Sequence, residues 1–210
     1  MIRILIADDH AVVREGLRRI LEEHADLKVV AEAGTGGELM EALARSRVDV
    51  LVLDVSMPGP GVFALLEQLK AEHPKLRCVV LTVHAADQYA VRVLRAGAAG
   101  FLSKDQSADL LIEAIREVHS GGVYASPSLA DKLAADVRSA HTGEPHEALS
   151  DREFEVLVRI ASGQSVKAIS AHLSLSPKTV STYHSRIRKK LGLRSDAEVT
   201  RYVLEHHLTL

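Results

Sequence analysis

Val48-Asp49-Val50-Leu51-Val52-Leu53-Asp54 is followed at once by Val55-Ser56-Met57-Pro58-Gly59, and this passage decides the fold. Val50 to Leu53 is a run of apolar residues without polar alternation, as a strand buried on both faces requires, and such strands belong to parallel sheets. A carboxylate at the C-terminal end of such a strand lies where parallel α/β sheets place their chemistry, in the crevice outside the strand ends. Working outward, Ile2-Arg3-Ile4-Leu5-Ile6-Ala7 ends in Asp8 and Asp9, Thr82 ends a third run, and Lys104 lies just past a fourth. In a parallel sheet these groups converge on one edge. Three acids, one hydroxyl and one cation there point to a Mg²⁺ and phosphoryl site.

The first 120 residues repeat the pattern. Strand-like runs fall near 2–7, 27–33, 48–53, 77–82 and 99–103, with helix-period segments near 12–24, 36–46, 62–73, 87–96 and 107–120. Five βα units predict an α/β doubly wound, five-stranded parallel sheet with right-handed crossovers. Gly121-Gly122 closes the fifth helix. A short helical segment is expected near 128–138, and Ser139 to Glu147 has no apolar period, so 121–147 reads as a linker with a short helix. From 148 to 210 everything reads as helix, a small all-α domain. Ser150 with Glu153 forms a capping box and Leu149 with Phe154 a staple pair. Gly163 stops that helix, Ser165 caps a second one, and Ser174-Leu175 is a tight connection. Ser176-Pro177 starts a third helix that ends at Gly192, and a fourth follows Ser195.

Bulk properties narrow the function classes. The chain has 210 residues, 47% of them apolar, and a net charge of −2, so global disorder is excluded. Residues 1–120 hold 14 Lys/Arg against 18 Asp/Glu, net −4, whereas residues 148–210 hold 10 against 6, net +4. An acidic first part and a basic last part imply different partners. Cys78 is the single cysteine, which forbids an internal disulfide, and its apolar neighbours make it a buried packer. The N-terminus lacks the regions of a signal peptide, and no stretch is apolar enough to span a membrane. The expectation is a soluble, cytoplasmic protein without a membrane partner. His206-His207 gives no metal signature.

The second and third C-terminal helices form a helix-turn-helix. Between Ser176 and Arg194 lie six cations, Lys178, Arg186, Arg188, Lys189, Lys190 and Arg194, and no acid. Val180, Ile187 and Leu191 recur at helical spacing and face the core, leaving Thr179, Ser181, Thr182 and Ser185 available to meet base edges while the cations hold phosphates. A basic run alone is more often a solvated surface. The run on a capped helix-turn-helix favours double-stranded DNA, and the scarcity of aromatics argues against single-stranded RNA.

On these residues the chain resembles a known class. LSDREFEVLVRIASGQSVKAISAHLSLSPKTVSTYHSRIRKKLGLRS looks like a LuxR-type DNA-binding domain. Ala7-Asp8-Asp9-His10, Asp54 with Ser56-Met57-Pro58, Leu81-Thr82 and Gly97-Ala98-Ala99-Gly100-Phe101-Leu102-Ser103-Lys104 resemble a receiver domain, a flavodoxin-like fold. Together they are similar to two-component response regulators of the NarL/FixJ class. The resemblance implies that Asp54 takes a phosphoryl group from a sensor histidine kinase, that Asp8, Asp9, Asp54 and the Ser56 backbone carbonyl hold Mg²⁺, and that Lys104 and Thr82 support the phosphoryl oxygens. Phe101 would follow Thr82 in its rotamer. Phosphorylation would change homodimerisation and DNA binding, with RNA polymerase left open as a further partner. No catalysis beyond self-phosphorylation and slow autodephosphorylation is implied.

Several features depart from that pattern or compete with it. The loop after the central aspartate usually carries a glycine at the position of Val62, so the loop path here is an open question; a residue with positive φ there could not be valine without strain. His10 follows the acidic pair, and His84 and the Ser56 side chain, which border the phosphoryl position, either tune hydrolysis of the phosphoaspartate or are ordinary loop residues. An aspartate-nucleophile phosphatase would need an acid where Ser56 stands. A dinucleotide-binding enzyme would need a glycine-rich turn after the first strand, where Ala7-Asp8-Asp9-His10 stands. A protein-binding regulator whose helix-turn-helix does not grip DNA is the remaining alternative.

Overall fold

The computed structural model describes residues 1–82, 87–126, 129 and 144–208. The chain divides into two compact units, residues 1–83 with 93–126, and residues 84–92 with 127–210. Of the expected helix near 128–138 Leu129 alone is described, and it is buried; His84 lies outside the described residues.

Five strands, β1 (Ile2–Ala7), β2 (Leu27–Ala33), β3 (Val50–Asp54), β4 (Arg77–Thr82) and β5 (Gly100–Ser103), form one sheet in the order β2-β1-β3-β4-β5, every pair parallel. The helices between and after them are α1 (Ala11–Glu22), α2 (Gly36–Arg45), α3 (Val62–Glu72), α4 (Asp87–Arg95) and α5 (Ala108–His119). This is the doubly wound, flavodoxin-like arrangement, with its switch point between β1 and β3. β3 is buried at every position, which is why its sequence carries no polar alternation. Ile4, Ile6, Val50, Val52, Val79 and Leu81 pack with Ile112 and Ile115 of α5 in the core. Burial pushes the Cys78 thiol up, so it stays protonated as an apolar packer.

β3 begins at Val50, two residues after the start of the strand-like run expected near 48–53. Asp49 just before it still bonds to both neighbouring strands, its N–H donating to the Arg3 carbonyl at 2.8 Å and its carbonyl accepting from the Arg77 N–H at 3.1 Å, while its carboxylate accepts from the Arg3 backbone N–H at 2.9 Å and from the Arg3 guanidinium. Arg3 holds the Asp49 carboxyl down at about 2.

The second unit contains a 3₁₀ turn (Pro145–Ala148) and helices α6 (Asp151–Ala161), α7 (Val166–His172), α8 (Pro177–Leu191) and α9 (Asp196–Glu205). Four serine caps set their starts. Ser150 accepts from the Glu153 N–H while the Glu153 carboxylate accepts from the Ser150 N–H, and Ser165, Ser176 and Ser195 each accept from the N–H three residues on. Gly192, at φ 68°, closes α8 in the left-handed region. The α7–α8 turn places Ser174 at φ 53°, a strained conformation for a residue with a Cβ. Phe154, Leu157, Ile169, Val180, Ile187, Val199 and Val203 are fully or almost fully buried. The stretch read as structureless up to Glu147 contains the 3₁₀ turn, whose His146 is 1% exposed.

Candidate phosphoacceptor site and nucleic-acid interface

The register of the sheet assembles the first site. Ala7 pairs with Leu53, Asp54 with Leu81, and Thr82 with Ser103, so the ends of β1, β3, β4 and β5 lie side by side. The residues at or just past those ends are Asp8, Asp54, Thr82 and Lys104, as the alternation of the sequence requires. Lys104 is held in place by its backbone N–H, which donates to the Thr82 carbonyl at 2.6 Å. Its ammonium reaches Asp8 Oδ2 at 2.6 Å and Asp54 Oδ1 at 2.9 Å. The contact with Asp54 is an ion pair, and neither buried Asp54 oxygen has a hydrogen-bond partner beside it.

Asp8, Asp54 and Thr82 are each no more than 3% exposed. Burial pushes the Asp54 carboxyl up, and Lys104 only partly offsets this. Lys104 itself is raised, because its two carboxylate partners outweigh its desolvation. Asp9 is exposed, and His10 bridges the acids, with Nδ1 at 2.7 Å from Asp9 Oδ1 and 3.3 Å from Asp8 Oδ1. Ligand atoms of Asp8, Asp9, His10 and Asp54 all lie within 4.8 Å of one another. The acids supply hard oxygen donors, and the unsatisfied oxygens of Asp54 need a cation, so the set fits Mg²⁺. Arg14 was missed in the sequence; its guanidinium donates to the Asp8 carbonyl at 2.6 Å and pairs with Glu32, which fixes the backbone under the acidic pair. Its place one helical turn past the acids was the available signal.

Phe101 is buried in β5 opposite Val80. The Ser56 side chain is exposed. The question raised by Val62 is answered by its neighbours. Gly59 and Gly61 take the positive φ angles, 145° and 78°, and Val62 enters α3 as its first residue, buried and without positive φ. Met57, 5% exposed, anchors the same loop.

The second site is the outer face of α8. Lys178, Ser181, Thr182, Ser185, Arg186, Lys189 and Lys190 are exposed, and Thr179 and Arg188 partly so. A shallow hollow of about 320 Å³ opens between Ser176, Lys178, Thr179, Thr182, Tyr183 and Arg186. The nine expected contact residues are not equivalent. Lys190 Nζ donates to Glu153 at 2.7 Å and to the Ala148 carbonyl at 3.0 Å, and Arg188 donates to the Arg194 carbonyl. Both are committed inside the unit. Ser181 and Thr182 donate to the carbonyls of Pro177 and Lys178, leaving their oxygens free to accept. Lys178, Arg186 and Lys189 carry no side-chain partner among the described residues.

Comparison with known proteins places this geometry. Residues 4–116 match the response regulator receiver domain, and residues 147–203 match the bacterial regulatory proteins of the luxR family. The chain is 38% identical over 209 residues to the response regulator UvrY of Escherichia coli K12, covering 99% of this chain and 96% of the relative. It is 39% identical over 206 residues to the response regulator GacA of Pseudomonas protegens, covering 98% and 97%. The chain belongs to the response regulator family. Among solved structures, this response regulator is similar to RcsB of Salmonella typhimurium, with TM-score 0.78, 29% identity and coverage of 100% and 98%. It is also similar to RcsB of Salmonella enterica serovar Typhimurium bound to the rprA promoter in the presence of the phosphomimetic BeF3−, with TM-score 0.72, 28% identity and coverage of 97% and 98%. The receiver plus LuxR-type architecture is thus that of the NarL/FixJ class, a transcription regulator and not a classical enzyme. No helix among the described residues is long and apolar enough to cross a membrane.

Proposed function

We propose that this response regulator accepts one phosphoryl group on Asp54 from a sensor histidine kinase, and that the modification changes its dimerisation and its binding to double-stranded DNA. The observation that carries the reading is the buried Asp54 carboxylate at the switch point, with both oxygens unsatisfied and the Lys104 ammonium 2.9 Å away. In the transfer the P–N bond of the phosphohistidine breaks as a bond from an Asp54 oxygen to phosphorus forms, and the proton needed to neutralise the leaving imidazole comes from the kinase side or from solvent. Asp9, Asp54 and the Ser56 backbone carbonyl would hold Mg²⁺, with Asp8 acting through water. A bound Mg²⁺ supplies charge neutralisation for the phosphoryl oxygens. Lys104 sits within reach of the same oxygens, and the Thr82 hydroxyl donates to one of them after transfer, with Phe101 following its rotamer. Slow autodephosphorylation is the limit of the turnover chemistry, since Ser56 stands where a phosphatase would carry its general acid.

The receiver occupies 1–120, the linker 121–147 and the DNA-binding domain 148–210. Lys178, Arg186 and Lys189 hold phosphates, while Thr179, Ser181, Thr182 and Ser185 meet base edges from the major groove. Two copies bind paired half-sites. Binding to chromosomal DNA would go with a cytoplasmic location. The test is phosphoryl uptake from acetyl phosphate with Mg²⁺. Wild-type protein becomes labelled and Asp54→Asn does not; equal labelling of the two would remove Asp54 from the role.

A further inference from the structure

The sequence gives His206-His207 no metal pattern, yet the fold brings His206 to two residues about sixty positions earlier. Glu144, His146 and His206, all in the second unit, each offer a ligand atom, and these atoms lie within 4.8 Å of one another. His146 is 1% exposed, and its Nε2 is buried with no hydrogen-bond partner. Its other nitrogen, Nδ1, lies 3.0 Å from the Tyr202 hydroxyl. His206 Nδ1 lies 2.9 Å from the Tyr202 carbonyl oxygen, which can only accept. The proton of the neutral ring is therefore on Nδ1, and Nε2 keeps its lone pair. That lone pair stands 3.5 Å from Glu144 Oε2, so two acceptors face each other with a need for a cation between them.

We propose that Glu144, His146 and His206 form a three-ligand site for a divalent transition metal ion, best matched by zinc, with water as the fourth ligand. Imidazole and carboxylate donors suit zinc, and bond lengths of about 2.1 Å in a tetrahedron set ligand atoms about 3.4 Å apart. The His206–Glu144 separation of 3.5 Å already has that value. Closing the remaining gaps takes shifts of about an ångström in the His146 ring or the exposed Glu144. Both rings have the outer-sphere support that metal-bound histidines use, the Tyr202 hydroxyl on one and the Tyr202 carbonyl on the other. The Tyr202 ring also stacks on His206 at 4.0 Å, which fixes its orientation. Burial holds the His146 imidazole below its ordinary value, which favours the unprotonated ring that a metal needs. Arg92 donates to the His146 carbonyl, and its charge opposes a dication; the Glu144 carboxylate offsets it. The ion would tie the 3₁₀ turn to the end of α9 and make the stability of this unit respond to zinc.

The full chain, stripped with a chelator and held in saturating Mg²⁺ so that the acidic cluster is occupied, is titrated with zinc. Binding is read by a competing chromophoric chelator, by the histidine ¹⁵N signals and by thermal melting. The expected result is one zinc, shifts confined to Nε2 of His146 and His206, and a rise in melting temperature. His206→Gln and Glu144→Gln, both at accessible positions, lose or weaken that zinc, and Tyr202→Phe weakens it about tenfold, as loss of outer-sphere support does. Circular dichroism establishes that each variant is folded. Zinc affinity unchanged in both His206→Gln and Glu144→Gln overturns the site. So does zinc that leaves the His206 signals unmoved while they titrate with pH, because a proton then fills the place given to the metal.

Discussion

The sharpest consequence of the α8 geometry is that neighbouring lysines have different jobs. Lys189 has no side-chain partner among the described residues, whereas Lys190 is bound to Glu153 and to the Ala148 carbonyl. With Lys178, Arg186 and Lys189 as the free cations, a dimer neutralises about six phosphates, and counterion release of about 0.9 per contact gives a slope of log K on log salt near −5. Affinity should then fall about a thousandfold between 50 and 200 mM salt. Lys189→Ala removes two contacts from the dimer and lowers the slope to about −3.6, a fall of about 150-fold over the same range. Lys190→Ala leaves the slope near −5 but weakens the packing of α8 against the start of α6, so the unit melts earlier. Anisotropy titrations on a labelled duplex at several salt concentrations, beside thermal melts, separate the two. Equal loss of slope in both variants would refute the reasoning, because it would mean that Lys190 leaves Glu153 to reach a phosphate.

Other consequences follow from the same geometry. Ser150→Ala removes the hydroxyl half of the capping box and should cost about 1 kcal/mol in chemical denaturation of the C-terminal unit; an unchanged midpoint would mean that the Ser150 hydroxyl adds nothing to the hold of the Ser150 N–H and Lys190 on Glu153. The Asp54 carboxyl is raised in the folded protein, so its contribution to stability is fully present below its unfolded value of 3.8 and is lost as pH rises through the folded value. Asp54→Asn should therefore flatten the decline of receiver stability above pH 3.8, and Mg²⁺ should reduce the same decline in the wild type; parallel pH profiles for variant and wild type would contradict this. Asp49 behaves oppositely. Arg3 lowers it to about 2, so its contribution is present above 3.8 and lost as pH falls through about 2, and Asp49→Asn should remove that acid limb from denaturation profiles.

Much of the architecture could be read from residue order because burial on both faces leaves an unmistakable trace. The apolar run before Asp54 has no room for polar alternation, and register alone then carries Asp8, Asp54, Thr82 and Lys104 to one edge. What escaped the sequence depends on side-chain direction. Val48 and Asp49 looked like the start of β3, which begins at Val50, and the residue order did not show that the Asp49 carboxylate binds Arg3 of the neighbouring strand. Lys190 looked like any member of a basic run, although its place three residues after buried Ile187 put it on the flank of the core face. His146 lay in a segment without periodicity, and its contacts with Tyr202 and His206 are tertiary ones that periodicity does not reveal. Val62 drew notice as a departure, and the strain it implied proved to be carried by Gly59 and Gly61.

The central claim is that chemistry at Asp54 changes what α8 does on DNA. The direct measurement is molecular mass and DNA affinity determined together, for wild type and Asp54→Asn, with and without beryllofluoride and Mg²⁺. The account predicts that the wild type shifts toward dimer and changes affinity by at least about fivefold, a typical coupling between sites, while Asp54→Asn does neither. Identical mass and affinity for the wild type in both conditions, or an equal response from Asp54→Asn, would contradict it.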